Sequence, residues 1–339
     1  MIEAQFYEKM ANNQVRCLLC PHNCKITEGK RGICGVRENR QGILYSLVFE
    51  QAIASHVDPI EKKPLFHVYP GSQSFSIATV GCNFKCRFCQ NCDISQAPHN
   101  KGGQIAGQSL PAETVVNMAD RYSCKTIACT YTEPTIYYEY ALDIAQHAVK
   151  KGIGVIFVSN GYINAEPLRK MAPYLLAANI DLKGWDQEFY RRVVGGDLKK
   201  VLDTLLLYKK LNIWLEVTTL VVPTYVDNED TLWEIAKFIR KELGAETPWH
   251  ISRFHPQYLC RDLPVTPIEI LRRAREIGFD AGLRYVYSGN VQGDAGENTY
   301  CYLCHALLIE RYGFSILQNN IKNDKCPVCG AAIDGIGLS

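Results

Sequence analysis

Short apolar runs alternate with amphipathic stretches along the middle of the chain. The apolar runs cover residues 75–80, 126–130, 154–159, 178–182, 213–222 and 249–254. The amphipathic stretches predict helices over 111–122, 135–150, 197–211, 228–243 and 267–277. Short runs that suit burial on both faces and alternate with helices indicate parallel strands with crossover helices. The pattern predicts an α/β fold, a partial (β/α)6 barrel, with a doubly wound sheet as the competing topology. Residues 283–288 are a candidate edge strand.

The two ends of the chain differ from this regular middle. Residues 1–40 predict a small metal-held knuckle, and residues 291–339 predict a second short module, because both segments are rich in cysteine and glycine. Between the knuckle and the barrel, Pro59, Pro64 and Pro70 interrupt any long element. We therefore expect a connecting segment over 41–74 and a barrel over 75–290.

Composition is that of an ordinary globular protein. Of 339 residues, 47% are hydrophobic and 21% are charged, and the net charge of +2 gives no general attraction to nucleic acid or membranes. The first residues carry no apolar signal segment, and no apolar run approaches the ~18 residues that a membrane span needs. We expect a cytoplasmic protein without a membrane partner.

Fifteen cysteines in such a chain favour metal ligation over disulfides. Eleven of them fall into three spaced groups: Cys17, Cys20, Cys24 and Cys34; Cys82, Cys86 and Cys89; and Cys301, Cys304, Cys326 and Cys329. The remaining four are isolated and are expected to be small buried hydrophobes: Cys92, Cys124, Cys129 and Cys260.

The central group has the spacing C-x3-C-x2-C and directly follows the first predicted strand. Three thiolates can hold three irons of a [4Fe–4S] cube, which leaves the fourth iron open for a substrate. Two alternatives remain at this point. Cys92 would complete a four-cysteine electron carrier, and three cysteines with a histidine would suit zinc.

This loop resembles that of the radical S-adenosylmethionine (SAM) superfamily, and Phe88 matches the aromatic residue that precedes the third cysteine. Within the superfamily, the chain resembles the activating enzymes of pyruvate formate-lyase and related glycyl-radical enzymes. It is most similar to the branch called the AmmeMemoRadiSam-system radical enzyme. This resemblance rests on the segment HVDPIEKKPL at 56–65, the cysteine loop, the Asp181-Leu-Lys183 stretch and both cysteine-rich ends.

The resemblance implies a radical SAM partial barrel with a [4Fe–4S] cluster and SAM as cofactors. It further implies one-electron cleavage of SAM to methionine and a 5′-deoxyadenosyl radical, and an external one-electron reductant of the flavodoxin or ferredoxin type. The cofactor does this chemistry, and the protein orients it and excludes water. Neither the resemblance nor the residues identify a catalytic side chain of the protein.

Polar residues at the predicted strand ends are the cofactor-binding candidates that the resemblance supplies: Glu133, Asn160, Asp181, Lys183 and His255. Two departures from the family pattern occur among them. Tyr131 and Thr132 stand where glycines are common, and Val158 stands where the activases have an aspartate that helps to bind a monovalent cation. Alternation places Asp181 and Lys183 on one face of their strand. The alternatives are a solvated Glu133, a simple turn at Asn160, a structural ion pair and a structural histidine.

The C-terminal cysteines have zinc-ribbon spacing, C-x2-C-x21-C-x2-C, and predict a closed tetrahedral zinc site. Three basic residues face four acidic ones over 297–339, so nucleic-acid binding is not favoured. The N-terminal group also predicts zinc, with an auxiliary iron–sulfur cluster as the alternative and His22 as a possible substitute ligand. Six basic residues lie near it: Arg16, Lys25, Lys30, Arg31, Arg37 and Arg40. They form either a solvated face or a dock for an acidic partner or a phosphate-bearing substrate.

Three functions compete. The first is a radical enzyme that abstracts hydrogen from a protein, at a backbone glycine or a side chain. The second is a radical enzyme that acts on a small metabolite or on RNA. The third is a metal-held binding or electron-transfer module without radical chemistry. The activase-like core and the two extra modules favour the first.

Overall fold

The computed structural model describes all residues, 1–339. Short strands form the first part of the molecule. The strands are β1 (Ile2–Glu3), β2 (Tyr7–Lys9), β3 (Val15–Cys17), β4 (Lys25–Ile26), β5 (Arg37–Arg40), β6 (Ile43–Ser46) and β7 (Gln51–Ala52). The first six form two three-stranded sheets, in the orders β1-β6-β5 and β2-β3-β4. Val15, Leu19 and Val36 are buried in the same core cluster as the central sheet. The N-terminal module therefore shares its core with the rest of the chain.

Eight strands form the central sheet. They are β8 (Ala54–Pro59), β9 (Gln73–Ala78), β11 (Thr126–Cys129), β12 (Gly154–Ser159), β13 (Leu175–Asp181), β14 (Trp214–Val221), β15 (Trp249–Arg253) and β16 (Val286–Gly289), while β10 (Gln108–Ser109) pairs with β7. From β9 to β16 the strands are parallel and adjacent in chain order, and β8 is antiparallel to β9. A doubly wound sheet would reverse its order at a switch point. The partial barrel is thus confirmed, and β16 is the expected edge strand.

Helices connect the parallel strands. They are α1 (Cys92–Ser95), α2 (Ala97–Asn100), α3 (Ala112–Arg121), α4 (Tyr138–Lys150), α5 (Ala165–Met171), α6 (Gln187–Phe189), α7 (Leu198–Lys210), α8 (Glu229–Phe238) and α9 (Ile268–Asp280). Side chains define two of the starts, because Asp197 accepts a hydrogen bond from the Lys200 N–H and Asn228 accepts one from the Thr231 N–H. The five predicted helices are present. The short helix α5, with Pro167 inside it, was not predicted.

The segment expected to connect knuckle and barrel contributes two features to the barrel itself. Strand β8 extends the sheet at its edge. Residues 60–71, which we call the plug, then enter the barrel, where Leu65 and Val68 pack on Ala128, Ile156 and Ala177. The interior carboxylate of Glu216 holds the plug by accepting the N–H groups of Phe66 and His67, at 3.0 and 2.9 Å. The plug fills the end of the barrel where the strands begin.

The C-terminal module packs against the plug. Its strands β17 (Thr299–Tyr300), β18 (Leu307–Tyr312) and β19 (Ser315–Asn319) form a small antiparallel sheet over a separate ten-residue core. The buried Arg311 donates to the Phe66 carbonyl at 3.0 Å and to Thr299 Oγ1 at 2.7 Å. Its Nε lies 3.7 Å from Glu61 Oε1. One buried arginine therefore joins this module to the plug.

None of the helices has the length and apolar character needed to cross a membrane.

Candidate active site

A cavity of about 310 Å³ opens where the parallel strands end. Functional groups of parallel β/α proteins gather at this end, because the loops there can vary without disturbing the sheet. The cavity is lined on one side by the cysteine loop and on the others by polar residues of the strand ends and of the plug: Cys82, Cys86, Cys89, Asn160, Asp181, Lys183, Lys62, Lys63, Tyr131, Thr218, Ser252 and Asn290 among them.

The cysteine loop follows β9 and presents all three thiols to this cavity. The Phe84 N–H donates to Cys82 Sγ at 3.3 Å, and the Ser95 hydroxyl lies 3.3 Å from Cys89 Sγ. Donors of this kind suit thiolate ligands of a metal cluster. Burial raises the pKa of Cys86 to about 12, and the nearby Lys183 opposes that rise.

Cys92 does not join this group. It lies in α1, its sulfur is 3.8 Å from Asp93 Oδ1, and it is not among the residues that line the cavity. Its burial fits the expectation of a small buried hydrophobe. The loop therefore offers three thiols, and the placement gives no support to a fourth cysteine ligand.

Asp181 and Lys183 both line the cavity at the end of β13, while Leu182 between them is buried on the opposite face. The Lys183 ammonium lies 3.0 Å from Asp181 Oδ2. Burial opposes the charged form of Lys183, but the Asp181 carboxylate and the Cys86 thiol outweigh it and raise the pKa of Lys183. A fixed positive charge therefore stands beside the cysteine loop.

Asn160 lines the cavity at the end of β12. Its amide donates to Asn83 Oδ1 at 2.8 Å, and the amide nitrogen is 3.8 Å from Cys82 Sγ. The Tyr162 N–H donates to Asn160 Oδ1 at 2.9 Å. The neighbouring Val158 also lines the cavity and contributes no cation ligand. Asn160, at the end of β12, therefore stabilises the cysteine loop that follows β9.

Glu133 lies behind the cavity wall, and its carboxylate is enclosed by donors of the chain. It accepts hydrogen bonds from the backbone and hydroxyl of Thr135, from the Ser159 hydroxyl and from the Asn160 N–H, all between 2.6 and 2.9 Å. Burial raises the pKa of Glu133, and these donors oppose the rise. The Glu133 side chain is therefore not among the residues that line the cavity, and its cofactor-binding role stays a prediction. Residues 130–132 line the cavity in its place.

His255 is exposed beyond the end of β15 and does not line the cavity. Its carbonyl accepts a hydrogen bond from the Gln90 amide at 3.3 Å, which ties it to the rim of the cysteine loop. The strand ends therefore bring Asn160, Asp181 and Lys183 together around the cysteines, and they leave Glu133 and His255 outside the lining.

Comparisons with known proteins agree with this geometry. The family model described as Radical SAM superfamily matches residues 76–239. The uncharacterized protein MJ0808 of Methanocaldococcus jannaschii is 49% identical over 98% of this chain and 99% of its own length. MJ1227 of the same organism, by its name a candidate glycyl-radical enzyme activating enzyme, is 31% identical over 51% of this chain and 70% of its own. The chain belongs to the radical SAM superfamily.

A solved structure supports the fold of this radical SAM enzyme. A radical SAM methyltransferase from Sphaerobacter thermophilus superposes with a TM-score of 0.51 at 12% identity, over 68% of this chain and 71% of the other. Within the superfamily, the similarity to activating enzymes makes the chain activase-like. Membership implies a [4Fe–4S] cluster, SAM and the general radical SAM reaction. The assignment to the AmmeMemoRadiSam branch stays a prediction.

A second polar group at the cavity was missed in the sequence. Asp58 of β8 accepts hydrogen bonds from Lys62 at 2.8 Å, Lys63 at 2.7 Å, Ser76 at 2.7 Å and Tyr131 at 2.5 Å. Burial would raise the pKa of Asp58, but these four donors hold it well below its usual range. The i, i+4 spacing of Asp58 and Lys62 was the available signal. That spacing did not indicate that Ser76 on β9 and Tyr131 beyond β11 also bind Asp58.

Two members of this group shape the cavity wall. Tyr131 has a φ of +65°, which is unusual for a residue with a side chain, and its phenol is fixed by Asp58. The Lys63 ammonium lies 4.7 Å from the centre of the Tyr131 ring. Burial lowers the pKa of Lys63 to about 8, with Asp58 acting against that change. Tyr131 therefore replaces a glycine of the family pattern with a bulky, firmly held ring.

The two cysteine-rich ends differ in geometry. The four C-terminal sulfurs all lie within 4.8 Å of one another, and the pairs Cys301–Cys329 and Cys304–Cys326 are each 3.6 Å apart. A metal could bind there. The four N-terminal cysteines line one small enclosed cavity together with His22 but do not form such a tight group. All are free thiols.

The basic residues near the N-terminal cysteines are mostly paired within the protein. Arg16 pairs with Glu8, both Arg31 and Arg40 pair with Glu38, and the buried Arg37 pairs with Glu139 of α4. Lys25 and Lys30 are exposed and form no ion pair. The expected positive patch is therefore much weaker than the count of charges indicates.

Proposed function

We propose that this protein is an activase-like radical SAM enzyme that abstracts a hydrogen atom from a protein substrate. The observation that carries the proposal is a single cavity that three free thiols, a fixed lysine cation and several polar strand ends all line. Bound there, the cluster and SAM supply one-electron cleavage to methionine and a 5′-deoxyadenosyl radical. The protein would position the cluster and SAM, neutralise their charges and exclude water.

Cys82, Cys86 and Cys89 would hold the cluster. The fit rests on three thiols that already face the cavity, on the Phe84 N–H and Ser95 hydroxyl beside two of them, and on the position of Cys92 away from it. Three ligands leave one position of a four-iron cluster free for SAM.

The residues of β12 and β13 would orient SAM next to that open position. Lys183 offers a cation for the carboxylate of the methionine end, and Asp181 offers a carboxylate for its ammonium group. The backbone carbonyls of residues 130–132 offer further acceptors on the neighbouring wall. Thr218 and Ser252 supply hydroxyl groups for the ribose on the other side of the cavity. Asn160 acts through the cysteine loop, which it holds by the hydrogen bond to Asn83.

A protein substrate is favoured by two considerations. Two relatives are named as candidate glycyl-radical enzyme activating enzymes, and they are 31% and 25% identical to this chain. Three residues that line the cavity, Lys62, Gln90 and Asn290, are exposed, so the cavity opens to solvent and an extended peptide can approach it. We infer that a glycine or a side chain on such a segment gives up the hydrogen atom.

The test is anaerobic reconstitution with iron and sulfide, followed by reduction with dithionite in the presence of SAM. We expect 5′-deoxyadenosine from the native protein, none from Cys86→Ser, and weaker SAM binding in Lys183→Met. Cys124→Ser is the matched control, because Cys124 is an isolated buried cysteine outside the cavity. Deuterium transfer from a labelled candidate peptide into 5′-deoxyadenosine identifies the substrate class. An intact cluster that yields no 5′-deoxyadenosine contradicts the proposal.

A further inference from the structure

The N-terminal cysteine site consists of Cys17, Cys20, Cys24 and Cys34. Cys17 ends β3, Cys20 and Cys24 lie in the turn before β4, and Cys34 precedes β5. All four line one enclosed cavity, in which Cys17 and Cys34 are buried and Cys20 and Cys24 are half-buried. The fold thus gathers four thiols in a closed pocket that the reaction described above does not use.

The spacing of these sulfurs sets the site apart from the C-terminal one. A single tetrahedral zinc ion with bonds of about 2.3 Å holds its sulfurs about 3.8 Å apart. The C-terminal sulfurs already match that distance, with two pairs at 3.6 Å and all four within 4.8 Å. The N-terminal sulfurs do not form so tight a group, and neither do those of Cys82, Cys86 and Cys89. The N-terminal site and the chain's own cluster loop therefore both lack the tight spacing of a zinc site.

A four-iron cube needs this wider arrangement, because each thiolate binds a different iron and four metal atoms separate the sulfurs. Four cysteines also occupy every iron of such a cube. A site of this type has no open position for a substrate, and its usual role is electron transfer. The central loop has three cysteines and leaves one iron free for a substrate, whereas four cysteines at the N-terminal site leave none free. The ligand count therefore suits reaction at the central loop and electron transfer at the N-terminal site.

The N-terminal site lies directly against the cluster loop. The His22 ring nitrogen Nε2 is 2.7 Å from the carbonyl oxygen of Asn83, the residue next to Cys82. A Cβ on Gly81 would lie 2.9 Å from the Cys34 carbonyl and 2.6 Å from a methyl group of Val36. Only glycine fits at position 81, because the backbone of the cluster loop touches the chain that carries Cys34. His22 and these contacts give a short, tightly packed route between the two groups of cysteines.

We propose that Cys17, Cys20, Cys24 and Cys34 hold an auxiliary [4Fe–4S] cluster that delivers electrons to the cluster at Cys82, Cys86 and Cys89. The relay role rests on the proposed function of the central cavity, whereas the metal content does not. A donor of the ferredoxin or flavodoxin class loses one electron, the auxiliary cluster gains it, and the same electron then reduces the central cluster. No covalent bond of this chain forms or breaks in either transfer.

The metal content is tested first, and without any activity measurement. In the variant Cys82→Ala/Cys86→Ala/Cys89→Ala, anaerobic reconstitution should leave about four irons per chain and a reducible cluster signal in electron paramagnetic resonance. In Cys20→Ser/Cys24→Ser, iron should fall from about eight to about four per chain. Zinc should stay unchanged in both variants, because the C-terminal cysteines are intact.

Zinc in place of iron at the N-terminal site would overturn the proposal, as would a Cys20→Ser/Cys24→Ser variant that keeps the native iron content. The second variant also decides the matter if the triple alanine variant fails to fold. Absence of 5′-deoxyadenosine in the native protein contradicts the proposed function but leaves these iron counts as they are. The two failures are therefore distinguishable.

The relay role is tested by the source of the electron. In Cys20→Ser/Cys24→Ser, reduction of the central cluster by reduced flavodoxin should lose most of its rate, and reduction by the small reductant dithionite should lose much less. Cys124→Ser serves as the control for a cysteine substitution elsewhere. Equal losses with both reductants would show that the N-terminal cluster is structural and would overturn the relay.

Discussion

The two ends of this chain look alike in sequence and behave differently in the fold. Each carries four cysteines, and each is joined to the barrel by one buried arginine, Arg37 to Glu139 and Arg311 to Glu61. The N-terminal module lies at the end of the barrel where the strands finish and touches the cluster loop through His22. The C-terminal module lies at the other end, against the plug. In β/α architectures the first end carries chemistry and the second carries stability.

The two modules also differ in the size of the hydrophobic core that supports them. The N-terminal module contributes to the main core of 73 buried residues, so the barrel supports it. The C-terminal module lies on a cluster of ten buried residues, of which Phe66, Tyr285 and Tyr287 come from the plug and the barrel, and Cys301 and Cys326 are two of the module's own seven. A segment with so small a core would depend on a metal at its four cysteines for stability. We therefore expect cysteine substitutions at the C-terminal end to act mainly on folding, and cysteine substitutions at the N-terminal end to act mainly on electron supply.

The largest effect is expected from Cys326→Ser. Metal binding in small zinc modules supplies about 10–16 kcal/mol of folding free energy, so the loss of one thiolate should unfold the C-terminal module. Limited proteolysis with mass spectrometry should then show cleavage within 299–339, together with loss of the bound metal. Cys124→Ser should stay resistant. A resistant, metal-free Cys326→Ser protein would contradict the difference between the two cores.

Arg37→Met should come next. The Arg37 guanidinium makes two hydrogen bonds to the Glu139 carboxylate, at 2.8 and 3.1 Å, and both side chains are 2% exposed. Removing one member of such a pair leaves a buried charge and costs about 3–5 kcal/mol. The free energy of unfolding in urea measures this. Adding Glu139→Gln should restore part of the loss, and no recovery in the double variant would argue against the pair.

Arg311→Met should cost less, and the cost should depend on pH. Burial raises the pKa of Glu61, and Arg311 opposes that rise. Without the arginine, Glu61 can escape the cost of a buried charge by taking up a proton. A carboxyl whose pKa is higher in the folded state than in the unfolded state destabilises the fold as pH rises. The variant should therefore lose less stability at pH 5 than at pH 8, as measured by urea unfolding. A pH-independent loss would refute the role of Glu61.

The smallest effect is expected from Arg40→Ala. Arg40 is an exposed side chain whose only ion pair is to Glu38, and Glu38 also pairs with Arg31. Exposed pairs contribute about 0.5 kcal/mol. We expect a change of that order in urea unfolding and an unchanged rate of reduction by flavodoxin. A large fall in that rate would favour the hypothesis that the N-terminal basic residues dock an acidic partner.

Short apolar runs that alternate with amphipathic stretches predicted the parallel strands and crossover helices of the barrel, with a doubly wound sheet as the competing topology. The cysteine spacing likewise predicted that Cys82, Cys86 and Cys89 act together, since they lie within eight residues of sequence, and all three line the cavity. Asp181 and Lys183 were predicted to share a face, and both line the cavity. Features that one short stretch of sequence contains were thus recoverable.

Features that depend on distant partners were not. The plug is held by Glu216, about 150 residues away, and nothing in its own proline-rich sequence indicates burial inside a barrel. Glu133 is a strand-end carboxylate by sequence, yet Ser159 and Asn160 of the next strand enclose it. Asp58 gains Tyr131 from 73 residues away. The donors around a carboxylate come from neighbouring strands, so the carboxylate's own stretch of sequence does not indicate them.

The plug has one more consequence. Residues 60–71 pack inside the barrel, with the C-terminal module behind them, and so close the end of the barrel where the strands begin. The cavity therefore opens on the side where the strands end. SAM and the substrate would arrive on that side, and methionine and 5′-deoxyadenosine would leave on it.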